Sequence, residues 1–106
     1  MPVIASTIIM RSRSTWNEQK RAKNLNKHHL DFADAGLVLE SQFRLDVESI
    51  RNDEARTQSF AYVFERLAVL TVVHIPGAAP HIISFRTASK EEREVYHEWL
   101  ENDDTA

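Results

Sequence analysis

The chain has 106 residues and a formal net charge of −3, with no cysteine. That length fits one domain, and the missing thiols exclude disulfides and thiolate metal sites, consistent with a reducing cytoplasm, the expected location. The hydrophobic share of 42 % and charged share of 27 % are those of a globular protein, and the acidic balance speaks against a simple nucleic-acid binder.

The charge is unevenly spread. Residues 1–30 carry Arg11, Arg13, Lys20, Arg21, Lys23 and Lys27 against one acid, Glu18, whereas residues 31–106 carry seven bases against fifteen acids. A local anion-binding surface is therefore compatible with a negative chain. The expected organisation is an N-terminal extension (1–10), a single domain (11–102) and a frayed tail (103–106).

The chain opens with an apolar run, Pro2–Ile9, too short to span a membrane. Arg11 and Arg13 follow that run instead of preceding it, unlike a signal peptide. It reads as an extra β-like segment or an untrimmed start, with Met10 as the alternative first residue. Thr15-Trp16-Asn17-Glu18 has the spacing of a capping box, with Asn17 as the alternative cap, for a helix running to about His28. Ala22 and Leu25 share one side of it, and Lys20, Lys23 and Lys27 form a stripe on another.

Asp31 is placed to cap a second short helix, with Phe32, Ala35, Val38 and Leu39 turned inward. Residues 43–49 alternate as a weak strand, and a polar loop covers Arg51–Glu54. Residues 56–64 form a strand with Phe60, Tyr62 and Phe64 on one face. The apolar run 67–75 suits a central strand covered on both faces. Pro76-Gly77 makes a turn, and His81–Arg86 is the next strand. Ser89-Lys90-Glu91-Glu92 is another capping box, opening a helix to about Glu101 that buries Val95, Trp99 and Tyr96. The expected class is α+β: two N-terminal helices, a mainly antiparallel sheet of about four strands, and a C-terminal helix. Without a crossover helix, the three later strands should be antiparallel.

No phosphate-loop glycine pattern, HExxH or Gly-x-Ser-x-Gly elbow is present. Of five histidines, only His28 and His29 are adjacent. Neighbouring helical side chains point about 100° apart, which is poor for one metal, so neither metal nor cofactor is expected. The remaining inventory permits metal-independent RNA cleavage: arginines and lysines, with His28, Glu54, Tyr62 and Tyr96. That chemistry removes a proton from the 2′-hydroxyl, gives one to the leaving 5′-oxygen, and needs cations around the phosphorane.

The order of residues is more specific. The segment Trp16–His28 resembles the opening of the BrnT family, W-D-x-x-K-x-x-x-N-x-x-K-H, and Asp31–Ala35 resembles its [SD]-F-x-x-A. Glu54-Ala55-Arg56-Thr57-Gln58 is similar to E-x-R-x-Q, and Glu65-Arg66 falls where the family often has Gly-Arg. Ile82–Tyr96 matches I-I-S-x-R-x-A-x-x-x-E-R-x-x-Y. The resemblance spans about residues 14–97. It implies a RelE-like fold, ribonuclease toxicity on an RNA substrate, and a BrnA-type antitoxin carrying a DNA-binding domain. Promoter DNA would be met only through that antitoxin, no membrane is involved, and a homodimer is a candidate assembly.

Carried over residue by residue, Lys27 and His28 match the K-H pair, Arg56 the mid-chain arginine, Arg86 the I-I-S-x-R arginine, and Arg93 and Tyr96 the helix positions. The chain departs from the pattern at His29, Ala61 and Glu65, each where a glycine is usual, and at Thr87, where a base is usual. A left-handed residue at His29 would cost about 1 kcal/mol.

The candidate catalytic set is therefore His28, Glu54, Arg56 and Arg86. The candidate RNA contacts are Lys20, Lys23, Lys27, Arg66, Arg93 and Tyr96. Each has a structural alternative. The lysines suit a solvated helix face, and His28 a helix-end cap. Arg56 and Arg86 need an anion, either a phosphate or a carboxylate such as Glu54 or Glu92. Tyr96 suits packing on the sheet, and Trp16 and Trp99 read as core. An interaction module that binds antitoxin without cleaving RNA is the rival function.

Overall fold

The computed structural model describes residues 14–104, so the expectations for residues 1–10 lie outside the described residues. The elements are β1 (Thr15–Trp16), α1 (Glu18–His28), a 3-10 turn (Phe32–Asp34), α2 (Gly36–Leu39), β2 (Leu45–Arg51), β3 (Glu54–Val63), β4 (Ala68–Ile75), β5 (His81–Thr87) and α3 (Lys90–Asp104). They form one five-stranded sheet in the order β1-β5-β4-β3-β2. The α+β class holds, with two corrections. The sheet is mixed and has five strands, because β1 runs parallel to β5. The expected second N-terminal helix is a 3-10 turn followed by a helix of four residues.

Local chemistry accounts for most boundaries. Asn17, not Thr15, caps α1, its side chain accepting from the Lys20 amide at 3.1 Å. Thr15 is drawn into the sheet instead, its amide donating to the Pro80 carbonyl at 2.9 Å. At the other end of α1, His29 takes the left-handed conformation (φ 59°) and donates its amide to Leu25. Asp31 caps the 3-10 turn by accepting from the Ala33 amide at 2.9 Å. The polar loop after β2 is a two-residue hairpin, Asn52-Asp53, both at positive φ, residues that tolerate that geometry. The Ser89/Glu92 capping box forms in both directions, at 3.2 and 2.8 Å.

The sheet is covered on both faces. Residues opposite in register share a face, so Ser59, Val72 and Phe85 point to one side and Phe60, Thr71 and Arg86 to the other. The first side packs against Leu30, Phe32, Ala35 and Val38 as the main core. On the second side α3 buries Tyr96 against Phe60, Val69 and Ala88. The central position of β4 follows its apolar run. One expectation about burial changes, that of Val95. Phe60 is buried but Tyr62 is partly exposed, and Phe64 lies beyond the strand end, exposed, its ring edge-on to Tyr62. Val95 is exposed, and Tyr96 takes the inward position on α3. On α1 the buried residue is Asn24, not Ala22 or Leu25. Among the described residues, no helix is long and apolar enough to cross a membrane.

Candidate functional site

Helix α1 lies beside β5, beyond the two residues that β1 pairs. Asn24 holds it there. Its side chain donates to the carbonyls of Phe85 (2.7 Å) and Leu30 (3.0 Å), and accepts from the Phe85 amide at 3.2 Å. A buried amide thus does for the β5 edge what another strand would do. The register of β4 and β5 shifts between Val73 and His74, leaving Ile83 as an extra, unpaired residue on β5. Ile83 lines a shallow groove of about 300 Å³ together with Lys20, Lys23, Asn24, Lys27 and His28.

Three of the groove's residues are lysines, one helical turn apart or nearly so. Among the described residues none of Lys20, Lys23 and Lys27 lies in an ion pair. His28, half-buried at the end of the stripe, has its pKa lowered, first by burial and then by the charges of Lys27, Arg86 and His29. Arg86 therefore belongs to the same electrostatic neighbourhood. At pH 7 the imidazole is predominantly neutral and can accept a proton.

The remaining predicted residues are placed as follows. Arg86 pairs bidentately with Glu92 at 2.8 and 2.9 Å, and Gln58 donates to the same carboxylate at 3.0 Å. That network pulls Glu92 down to about 2, chiefly through Arg86. Arg56 pairs with Glu54 at 3.0 Å. For both arginines the carboxylate alternative is what forms. Glu54, Arg56 and Gln58, spaced two apart on β3, share the Arg86 face of the sheet. Yet Arg56 is four residues along β3 from Phe60, which lies two strands from Arg86. With a rise of about 3.3 Å and a strand spacing of about 4.8 Å, the two Cα atoms are about 16 Å apart. The fold does not gather Glu54 and Arg56 into the His28 groove.

Arg66 lies at the turn after β3, 3.9 Å from Asp34 of the 3-10 turn, on the main-core side of the sheet. Arg93 donates to the Ala88 carbonyl at 3.1 Å, tying down the start of α3. Tyr96 is 1 % exposed; its hydroxyl donates to the Phe43 carbonyl at 2.8 Å and accepts from the Tyr62 amide at 3.3 Å. It is a core residue. Trp16 and Trp99 pack against the two cores, as expected.

Sequence reasoning gave no role to Asn24, Gln58 or Ile83. A signal existed for the first. Asparagine is a weak helix former, so its place in mid-helix calls for a compensating tertiary bond.

No curated protein matches the chain. A family model described as "Ribonuclease toxin, BrnT, of type II toxin-antitoxin system" matches residues 16–92, which takes in α1, the whole sheet except Thr15, and the Arg86–Glu92 pair. The chain belongs to the BrnT family of ribonuclease toxins of type II toxin–antitoxin systems.

Proposed function

We propose that this chain is a growth-inhibiting, metal-independent endoribonuclease that grips RNA along the lysine stripe of α1, on a RelE-like scaffold. One observation carries the reading: among the described residues Lys20, Lys23 and Lys27 lie in no ion pair along a groove that ends in His28, whose pKa is lowered. The lysines hold phosphates of the strand. His28 takes the proton of a 2′-hydroxyl, whose oxygen attacks the adjacent phosphorus. The bond to the 5′-oxygen breaks, and the imidazolium returns the proton to that oxygen. Lys27, and Arg86 once it turns from Glu92, offset the phosphorane charge. The products are a 2′,3′-cyclic phosphate and a 5′-hydroxyl. Purified protein incubated with RNA in excess EDTA should yield those ends. Cleavage that stops with the chelator removes this mechanism.

In the cell, a BrnA-type antitoxin would neutralise the chain and carry it to promoter DNA. A second reading is favoured by the pairing of Arg56 and Arg86 with carboxylates. In it the chain acts only through antitoxin binding and promoter control. Expression without antitoxin separates the two: growth arrest supports the nuclease, and unchanged growth with intact antitoxin binding supports the module.

A further inference from the structure

The groove beside α1 has a direction. Helix α1 runs the same way as β5: Trp16, just ahead of the helix, pairs with Ile82, and Asn24, in its second half, bonds to Phe85. The lysines follow that axis. At about 1.5 Å of rise per residue, Lys23 lies about 4.5 Å and Lys27 about 10.5 Å beyond Lys20, and all three fall within an arc of about 60°. Those steps are of the order of the distance between neighbouring phosphates on one strand, and the long lysine stems take up the difference. Asn24 is engaged by Phe85 and Leu30, and Ile83 is apolar, so the positive charge of the groove is that of the lysines.

Beyond His28 the stripe has no counterpart among the described residues. The end of β5 lies there, where Arg86 is held by Glu92. Helix α3 then begins, and its Lys90 and Arg93 are matched by Glu91 and Glu94. His28 therefore stands at one end of a cationic tract, not at its centre.

We propose that the protein grips RNA on one side of the scissile bond only, with the scissile phosphate at Lys27 and His28 and the next two phosphates of the strand on Lys23 and Lys20. This deepens the nuclease reading above and rests on it. A bond with a single nucleoside on the far side is then a full substrate, so cuts can fall one nucleotide from an end of the RNA. The test uses 2′-O-methyl strands that each carry one ribonucleotide, so that a single bond can be cut. One arm carries a varied number of further phosphates, from none upwards, and the other is long; a second series reverses the arms. The full chain is assayed in excess EDTA at low salt. On one side the first and second phosphates should each raise kcat/KM about threefold, and a third should add little. On the other side arm length should change kcat/KM by less than about 1.5-fold. Lys23→Gln should erase the gain from the first phosphate, and Lys20→Gln that from the second. Equal gains on both sides, no gain on either, or gains that survive both substitutions overturn the inference, as does cleavage of long RNA but of none of the short strands. Failure to cut long RNA as well removes the nuclease reading itself.

Discussion

Replacing Glu92 by glutamine isolates the charge of the network that holds Arg86. The carboxylate accepts two bonds from Arg86 (2.8 and 2.9 Å), one from Gln58 (3.0 Å) and one from the Ser89 amide (2.8 Å). Glutamine can keep the capping bond to Ser89, since that position accepts either residue. What it loses is the ion pair. The carboxyl group falls from an ordinary 4.5 to about 2 in the folded chain. At about 1.4 kcal/mol per unit that gap gives about 3 kcal/mol, and partial exposure of the pair reduces it to about 2 kcal/mol. The sign follows from the depressed value. The stabilisation is fully present above pH 4.5 and is lost as pH falls through about 2. Urea unfolding of both proteins at several pH values should show wild type about 2 kcal/mol more stable at pH 7. The difference should shrink steadily below pH 4.5. A difference that stays constant down to pH 2, or its absence at pH 7, would refute the assignment. If Arg86 is also a phosphate ligand, the same variant should bind RNA more tightly.

Four other outcomes follow from named contacts. His29→Gly relieves a left-handed histidine at the end of α1 and should stabilise the fold by about 0.5–1 kcal/mol in urea unfolding. Changing Lys20, Lys23 and Lys27 together to glutamine should weaken RNA binding and reduce the slope of log affinity against log salt by about 2; an unchanged slope places the RNA elsewhere. His28→Ala should abolish cleavage while RNA binding persists, and wild-type cleavage should fall in acid with a midpoint below 6.5, because the protonated ring cannot accept. Asn24→Leu removes two hydrogen bonds to Phe85 of β5 and one to the Leu30 carbonyl and should cost about 2–4 kcal/mol, read as a lowered urea midpoint.

Much of the fold could be read from the sequence because its signals are local. The capping box at Ser89, the alternation along β3 and the apolar run of β4 each follow from a few consecutive residues. β1 escaped because two residues make no periodic signal, and their pairing depends on Pro80, distant in sequence. The second helix shrank because Asp31 satisfies a tight 3-10 turn, which leaves only four residues for α2. The site was legible in kind but not in grouping. Residue types showed that Arg56 and Arg86 needed anions, and Glu54 and Glu92 were the nearby carboxylates. Spacing could not show that strand register sets Arg56 far from Arg86. Tyr96 packs on the sheet as expected; Val95, expected inward as well, points out, since side chains adjacent on a helix lie about 100° apart.

The division of labour among the cations explains how a chain of net charge −3 can still present a cationic helix face. Arg21, Arg44, Arg56, Arg66 and Arg86 each face a carboxylate. Guanidinium suits that work, since its fork matches a carboxylate and it desolvates more readily than ammonium. Those pairs engage five of the arginines and five of the acids. Among the described residues the lysines of α1 lie in no ion pair, on a helix whose only acid, Glu18, is already bound to Arg21 and Trp16. At physiological salt, charges beyond about 8 Å are largely screened, so acids elsewhere on the surface count for little at the groove. Local pairing, not the net sum, sets the field around His28.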